Sequence, residues 1–386
     1  MTRTALELRR PRVALVASPR AAIPAGAYGG SVEQVTGLAA ALARRGYQVT
    51  VIGAGLPVTP GAGTSYQAID TWLDEDLTDP VLAEALHGIA VERLLRRLEV
   101  DLVHEHTVAG LLNAVSGPAG GRGDVPQVVT VYGPADGPDA VPAHKLTGGR
   151  AALVAVSEHQ RAQAPSLPWL GVVHPGILVT EYPFREEKDG PCVFVGALAP
   201  GRGADLAIVA AHAAGRSITV AGTLPHPGME TYVRWRLRPL LRPGDELIQV
   251  TDHAKRIGLL AHARCLVAPF GPDVPFSLAI VEALACGTPV VALRGGVGEE
   301  LVEHGASGIL CPTPAELAAG IAAAERLDPA GCRHHAATHF DTTQMAAGYD
   351  RLYAQALAAR HPQRPAAPPD PHPHRAPVAA GGRSGP

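Results

Sequence analysis

Residues 273–293, DVPFSLAIVEALACGTPVVAL, decide the fold. An apolar run begins after Ser277 and ends at Gly287 and Pro289, two residue types that terminate helices, and the apolar run VVAL follows. This order predicts a short buried helix that leads into a buried strand. Glu282 is the single charged residue in that predicted helix. Because apolar neighbours surround it on both sides, we expect Glu282 to point at a polar ligand such as a ribose.

Short apolar runs separated by helical stretches extend from this segment through the whole chain. The first half contains RVALVAS, YQVTVIG, DLVHEH, PQVVTVYG, ALVAVS and VVHPG, and the second contains CVFVGAL, SITVAG, ELIQV, RCLVAPF, PVVAL and GILC. Continuous apolar runs of this length are typical of parallel strands that are covered on both faces. The sequence therefore predicts the α/β fold class, with two doubly wound Rossmann-like domains.

The 386 residues are enough for two cores of roughly 170 residues each. We predict a basic N-terminal arm at residues 1–10, an N-terminal domain at 11–182 and a C-terminal domain at 190–344. The polar segment between them, TEYPFREEKDGP, is the predicted linker. A last helix at residues 345–360 follows the second sheet and is expected to brace the first domain. The Pro-rich tail at 361–386 has no large apolar residues to bury, so we expect it to be disordered.

Composition excludes several classes of protein. A net charge of −3 gives no footprint for nucleic acid, and no apolar run approaches the roughly 20 residues that cross a bilayer. The N-terminus, MTRTALELRRPR, lacks the apolar core of a signal peptide, so we expect a cytoplasmic protein. The five cysteines are scattered and unpaired in sequence, which favours reduced thiols.

Two glycine-containing loops stand between a predicted strand and a predicted helix. In IPAGAYGGSVEQV, Gly29 and Gly30 precede the first helix, whose start is marked by a capping box of Ser31 and Gln34. Glycine there allows a ligand to approach the backbone, and the helix N–H groups suit a phosphate. The spacing is not G-x-G-x-x-G and no acidic residue ends the second strand, which argues against a nicotinamide cofactor. In GALAPGRGADL, Arg202 stands where it can clamp a diphosphate.

Taken together, these stretches resemble glycosyltransferase family 4, whose members are retaining enzymes of the GT-B fold. The segments that match in order are YGGSVEQVTGLAAALARRGYQVTVIG, DLVHEH, LVAVSEHQR, VVHPGI, GALAPGRGADLAIVAAHAAG and PFSLAIVEALACGTPVVAL with RGGVGEELVEHGASGILC. The resemblance covers about residues 11–358. It implies two Rossmann-like domains that face each other across a cleft, with a nucleoside-diphosphate sugar as donor substrate and no cofactor. We expect no metal site, because HEH has no further ligands nearby in the sequence.

The resemblance also implies roles for individual residues. Glu282 matches the second glutamate of the family's E-x7-E motif, which holds the ribose. Arg202 matches the diphosphate-binding lysine, and Gly29 and Gly30 match the loop that closes over the phosphates. Further donor-binding positions follow in the C-terminal half: Phe276, Ser277 and Leu278 match the segment that contacts the sugar and diphosphate, and Glu299 matches the glutamate of a Pro-Glu turn whose proline is Gly298 here.

Three positions depart from the family pattern. The first glutamate of E-x7-E is Val274, the arginine after the strand-end glycine is Ala197, and the histidine after the fourth strand is Tyr132. Each position would lie beside the transferred sugar or its phosphates. Asp273 adjoins Val274 and reaches the sugar only if the loop shifts by one residue.

The acceptor side is expected to contain His104, Glu105, His106, Tyr132 and Glu158, with His106, Tyr132 and Asp273 as candidate catalytic groups. A retaining front-face transfer needs no protein nucleophile, because the departing phosphate itself takes the acceptor proton. The first interpretation is therefore a glycosyltransferase that acts on a small-molecule acceptor. The alternative is a catalytically degenerate auxiliary subunit, with a partner glycosyltransferase, and it is motivated by the three departures.

Overall fold

The computed structural model describes residues 10–18, 30–54, 62–69, 80–107, 125–136, 151–224, 227–250 and 252–359. Gly29, the side chain of Ser31 and the tail at residues 361–386 lie outside this part of the chain, so the predictions that concern them stay predictions. Among the described helices, none is long and apolar enough to span a bilayer.

The N-terminal half forms a parallel sheet with the order β3-β2-β1-β4-β5-β6-β7. Its strands are β1 (Arg12–Val16), β2 (Gln48–Ala54), β3 (Thr64–Ile69), β4 (Leu102–Glu105), β5 (Gln127–Val131), β6 (Ala151–Ala155) and β7 (Trp169–Val172). The C-terminal half forms a second parallel sheet with the order β10-β9-β8-β11-β12-β13. Its strands are β8 (Cys192–Ala197), β9 (Ile218–Thr223), β10 (Glu246–Gln249), β11 (Leu266–Ala268), β12 (Val290–Leu293) and β13 (Gly308–Cys311).

Helices connect the parallel strands. They are α1 (Gly30–Arg44), α2 (Pro80–Leu95), α3 (Glu158–Gln163), α4 (Ala204–Ala213), α5 (His253–His262), α6 (Leu278–Ala285), α7 (Val297–Leu301), α8 (Leu317–Ala324), α9 (Pro329–His339) and α10 (Thr342–Ala359). A continuous helical stretch between β9 and β10 consists of Pro227–Met229, Glu230–Tyr232, Val233–Leu237 and Arg238–Leu240, and single 3-10 turns cover Val179–Glu181 and Pro314–Glu316. The predicted fold class, two doubly wound domains, is confirmed.

In each sheet the strand order reverses at one point, between β1 and β4 and between β8 and β11. Ligands of such sheets bind in the crevice outside the carboxyl ends of the strands at this switch point. The chain segments that follow β4 and β11 are therefore the places to look for a site. Both segments contain stretches that stand out in the sequence. DLVHEH includes β4 and its carboxyl end, and PFSLAIVEAL follows β11.

Helix α1 is amphipathic, and Val35, Leu38, Ala39 and Leu42 are buried on its inner face. Gly46 follows the helix with a φ of 88°, a left-handed backbone that glycine adopts without strain. The apolar pattern does not predict β3, and it predicts the last strand of the first sheet at VVHPG, which starts at the last residue of β7. Both strands lie at edges of the sheet, where the apolar signal is weak.

Helix α10 packs against the first domain although it follows the second sheet in the chain. The core of the first domain includes Met345, Tyr349, Leu352 and Tyr353 from this helix. Asp350 on its outer side forms ion pairs with Arg10 at 2.7 Å and with Arg45 at 2.6 Å, and it accepts a hydrogen bond from Tyr47. The two domains are therefore joined both by the linker and by this return of the chain.

Candidate functional site

The loop at residues 272–277 leads from β11 into helix α6. Ser277 caps the helix, because its backbone is extended (φ −130°) and its Oγ accepts a hydrogen bond from the Ile280 N–H at 3.4 Å. Residues 280–285 are buried. Gly287 then adopts a φ of 78°, and a Cβ on it would lie 2.7 Å from the ring of Phe184, so a left-handed glycine ends the helix. The helix predicted between Ser277 and Gly287 is confirmed.

Glu282 forms a buried ion pair that the sequence analysis did not foresee. Its Oε1 accepts a hydrogen bond from Arg256 Nη2 at 2.7 Å, and the two side chains are only 1% and 3% exposed. Arg256 Nη2 also lies 2.9 Å from His253 Nδ1. A buried charge needs a partner, and Arg256 supplies one. The ion pair therefore explains the charged residue in this apolar helix, and no ligand is needed to explain it. The ribose-binding role of Glu282 stays a prediction. Arg256 is a second charged residue at this position, and it holds the Glu282 carboxylate.

The glycine loop after β8 lies against the segment after β11. Gly203 has a φ of 84°, and a Cβ on it would lie 2.5 Å from the Pro269 carbonyl oxygen, while a Cβ on Gly271 would lie 3.2 Å from the Gly201 carbonyl oxygen. At position 203 only glycine allows the two loops to approach so closely. Arg202 is half-buried and stands between Gly201 and Gly203 in this loop. The predicted diphosphate clamp therefore belongs to a loop that approaches residues 269–271, directly before the predicted sugar-contacting segment.

Val274 and Asp273 occupy different surroundings in that loop. Val274 is 7% exposed and belongs to the apolar core that also contains Ile280 and Val281 of α6, whereas Asp273 is exposed. Phe276 is half-buried, with its ring centroid 6.0 Å from that of His174. The side chain at the position of the missing family glutamate thus packs inward and helps to hold the loop on its own domain.

Glu299 lies after β12, at the start of α7. Its Oε2 accepts a hydrogen bond from the Gly295 N–H at 2.8 Å, and its Oε1 lies 3.1 Å from Arg294 Nη1. The Gly295 N–H and then Arg294 lower the pKa of this carboxyl, so it is ionised at neutral pH. Glu299 is half-exposed, which leaves the turn accessible to a ligand.

On the N-terminal side, His104 serves the packing of the domain. It is fully buried, its Nδ1 lies 2.6 Å from the Tyr353 hydroxyl and its Nε2 lies 2.7 Å from Thr130 Oγ1. Thr130 Oγ1 is in turn 2.7 Å from the Tyr349 hydroxyl. Both nitrogens of His104 are therefore engaged with groups of β5 and α10. Burial, followed by the neighbouring His106, lowers the pKa of His104 well below its usual value, so the ring is neutral.

His106 differs from His104 because only one of its two ring nitrogens has a hydrogen-bond partner among the described residues. Its Nδ1 lies 2.9 Å from the Tyr132 hydroxyl, whereas its Nε2 is buried and has no hydrogen-bond partner among the residues that the structure describes. Burial lowers the pKa of His106 to about 3 and raises that of Tyr132 well above its usual range. The two candidate catalytic residues are thus in contact, and both are uncharged at neutral pH. Ala197, the third departure, ends β8 on the opposite domain.

The remaining acceptor-side candidates lie in different places. Glu105 is buried, and its Oε2 accepts a hydrogen bond from Thr107 Oγ1 at 3.1 Å. The exposed Glu158 carboxylate pairs with Arg161 at 2.6 Å on α3. Gly30 begins helix α1 and so stands at the predicted phosphate-facing helix start.

Direct contacts between the domains connect helix α3 with the C-terminal domain. The Glu300 carboxylate of α7 accepts hydrogen bonds from the backbone N–H groups of Glu158 at 2.8 Å and His159 at 3.0 Å, and its Oε1 lies 2.6 Å from His174 Nε2. The Ser157 hydroxyl donates to the Pro275 carbonyl at 2.6 Å. These contacts had no signal in the sequence, because their partners are more than 100 positions apart.

Residues 28–177 match the model of a family described as Glycosyltransferase Family 4, and residues 191–325 match that of Glycosyl transferases group 1. The chain is also similar to a glycogen synthase of Mycobacterium tuberculosis, at 31% identity over 220 residues that cover 52% of this chain and 51% of the relative. The chain thus spans about half the length of the curated relatives that it matches.

Three solved structures share the fold over almost the whole chain. AviGT4, a glycosyltransferase involved in avilamycin A biosynthesis, has a TM-score of 0.67 at 23% identity and covers 90% of this chain and 98% of its own. Sucrose-phosphate synthase from Thermosynechococcus elongatus has 0.69 at 16% identity, with 91% and 100% covered. The Anabaena protein HepE, solved in complex with UDP-glucose, has 0.65 at 18% identity, with 90% and 100% covered. At these identities the likeness shows the GT-B fold.

Proposed function

The chain belongs to glycosyltransferase family 4, and from this premise we propose that it transfers a sugar from a nucleoside-diphosphate sugar to a small-molecule acceptor with retention of the anomeric configuration. The observation that carries the proposal is the approach of the Arg202 loop to residues 269–271, which lead into the loop at 272–277. The loop with Arg202, a cation suited to a diphosphate, and the segment that leads to the capped start of α6 therefore meet at the switch point of one sheet. A cytoplasmic location is part of the proposal.

Arg202 would neutralise the charge of the leaving diphosphate, which is the chief electrostatic demand of the reaction. Glu282 would accept hydrogen bonds from the ribose hydroxyls while Arg256 holds its carboxylate. The loop at 272–277 would support the sugar. Closure of the cleft would exclude the water that otherwise hydrolyses the donor.

His106 and Tyr132 would receive the acceptor. If His106 Nδ1 carries the proton and donates it to the Tyr132 oxygen, Nε2 is left as a hydrogen-bond acceptor. A neutral imidazole in that tautomer can accept a hydrogen bond from the attacking hydroxyl and orient it. The departing phosphate takes the proton in a front-face transfer, so these two residues need only position the hydroxyl.

The test is a binding titration of UDP, GDP, ADP and dTDP, each with and without an attached sugar, followed by turnover with small acceptors. UDP is the first choice, because HepE is a structural relative solved with UDP-glucose. Transfer with the anomeric configuration preserved, read by NMR of the product, would support the proposal. Binding without transfer or hydrolysis would favour the auxiliary-subunit alternative, and failure to bind any of the four nucleotides would contradict both.

Val274 suggests which sugar the site prefers. A valine at the position where the family has a glutamate removes a hydrogen-bond acceptor, and its side chain packs into the core and offers the sugar no polar group in exchange. A sugar hydroxyl that lost its water beside this loop would therefore stay unpaired, at a cost of about 1–3 kcal/mol. We therefore propose a deoxygenated or otherwise less polar sugar. The experiment compares the wild type with Val274→Glu, using glucose-type and deoxy-type donors of one nucleotide. Wild-type turnover of the glucose-type donor at least equal to that of the deoxy-type donor would disprove this preference.

A further inference from the structure

Helix α3 of the N-terminal domain is capped jointly by its own N-cap residue and by the other domain. Ser157 Oγ accepts a hydrogen bond from the Gln160 N–H at 2.9 Å, and Glu300 accepts from the two preceding N–H groups. The first N–H groups of a helix have no partner inside the helix, so separation of the domains exposes two of them and the Glu300 carboxylate to water. The contact therefore opposes opening of the cleft at this point.

The same helix holds the loop that is predicted to contact the sugar. The Ser157 hydroxyl donates to the Pro275 carbonyl at 2.6 Å, while His159 Nε2 and Gln163 Nε2 both lie 2.7 Å from the Pro272 carbonyl oxygen. The two carbonyls flank Asp273 and Val274. Fixing a short loop at both ends restricts the backbone path between them. Contacts made by one domain thus shape the donor-side loop of the other.

These contacts are few and polar, which suits a contact that opens and closes. A typical hydrogen bond contributes only about 0.5–1.5 kcal/mol net, because water replaces the lost partner on opening. The buried apolar clusters lie within each half of the molecule, around α10 and at the start of the linker, where Ile177, Val179 and Tyr182 pack into the C-terminal core. The clamp, defined as Ser157, His159, Gln163, His174 and Glu300 with the Pro272 and Pro275 carbonyls, is therefore separable from the packing of each domain.

We propose that Glu300 and Ser157 are positioning residues that couple closure of the cleft to the shape of the sugar-binding loop. Glu300 holds helix α3 on the C-terminal domain, and Ser157 then fixes the loop through Pro275. On the nucleotide side of the site, Glu282 is held by its ion pair with Arg256 within the C-terminal domain. Loss of the clamp is thus expected to remove the sugar's contribution to donor binding and to leave the nucleotide's contribution in place. This reading of the loop rests on the proposed function.

The main variant is Glu300→Gln, which keeps the size of the side chain but turns one acceptor into a donor that faces a backbone N–H. Glu303→Gln is the matched control, because Glu303 lies one turn away, is 64% exposed and pairs with His335 of its own domain at 3.4 Å. Gln163→Leu is a milder second variant that removes one donor to Pro272. It keeps the test open if Glu300→Gln does not fold.

Two measurements are made on the full-length chain. Spin labels on cysteines introduced at the exposed positions Arg44 and Arg238 report the distance between the domains, since the five native cysteines are buried. Titrations with a nucleoside diphosphate and with its sugar conjugate give the sugar's contribution as the ratio of the two affinities. The distance measurement needs no ligand, so it tests the clamp even if the proposed function fails and no nucleotide binds.

For Glu300→Gln we expect a distance distribution that broadens toward longer separations, a nucleotide affinity within about twofold of wild type and a sugar contribution that falls toward one. Gln163→Leu should lose part of the sugar contribution, and Glu303→Gln should match the wild type in both measurements. An unchanged distance distribution in Glu300→Gln would overturn the clamp. Equal loss of nucleotide and nucleotide-sugar affinity, or the same changes in Glu303→Gln, would overturn the positioning role.

Discussion

Removal of either member of the Arg256–Glu282 pair is expected to destabilise the C-terminal domain strongly. The Nη2–Oε1 distance is 2.7 Å and both side chains are almost fully buried, so each single variant leaves a charge without its main partner. Such a loss typically costs about 3–5 kcal/mol. For a domain of this size each kcal/mol lowers the melting temperature by about 2–4 °C, so Arg256→Met or Glu282→Leu should lower it by roughly 6–20 °C.

The double variant Arg256→Met/Glu282→Leu separates stability from function. Replacing both charges with apolar groups of similar volume is often neutral or stabilising, so the double variant should recover most of the stability lost in either single variant. If Glu282 binds the ribose, nucleotide affinity should nevertheless stay low. Calorimetry supplies the melting temperatures, and nucleotide titration supplies the affinities.

Two results would refute this reasoning. Single variants that lower the melting temperature by no more than about 4 °C, or effects that simply add in the double variant, would mean that the pair is not a coupled buried interaction. Wild-type nucleotide affinity in the refolded double variant would mean that Glu282 serves only to neutralise Arg256. The second result leaves the stability argument intact and removes the predicted ribose contact.

Three further predictions address other parts of the chain. Burial opposes ionisation of Glu300, but hydrogen bonds from His174 and from the backbone N–H groups of Glu158 and His159 outweigh burial and hold the pKa of this carboxyl below its ordinary value of 4.5. The interdomain distance should therefore increase as pH falls below 4.5 and through the lowered pKa, and Glu300→Gln should abolish this acid-side dependence. Alanine at Gly201 or Gly203 costs about 1–2 kcal/mol for the left-handed backbone, and Gly203→Ala should lose clearly more by thermal unfolding, because its Cβ alone meets the Pro269 oxygen. Deletion of residues 361–386 should leave the melting temperature within error, and a large fall would show that the tail packs on a domain.

The sequence predicted those parts of the fold whose signal is local. Strands buried on both faces, such as β1 and β8, are visible because each of their side chains must be apolar. The edge strand β3 (Thr64–Ile69) has a largely polar sequence and mostly half-buried side chains. The hydroxyl of its Ser65 lies 2.9 Å from that of Thr50 on the neighbouring strand β2. A strand with one neighbour and partial cover does not need a continuous apolar run, so the apolar pattern gave no warning of it.

The candidate site divides in the same way. The cap at Ser277 and the burial of Glu282 follow from neighbours within one helix, so they could be predicted. Arg256 is 26 positions from Glu282, and Glu300 is more than 120 from each of its partners on and near α3. The first pair exists only after the C-terminal domain has folded, and the Glu300 contacts exist only after the two domains have met. A sequence without an alignment contains no local signal for them.

The clamp explains how the loop can keep its shape with a valine at position 274. A glutamate at this position would be exposed to the sugar or would need a buried partner, because the surrounding core is apolar. Valine instead packs against the residues of α6 and so anchors the loop to its own domain. Helix α3 of the other domain holds the two flanking carbonyls. A loop fixed from both sides can present its backbone to a sugar without a side-chain carboxylate. The loss of the family glutamate is therefore compatible with the proposed sugar site.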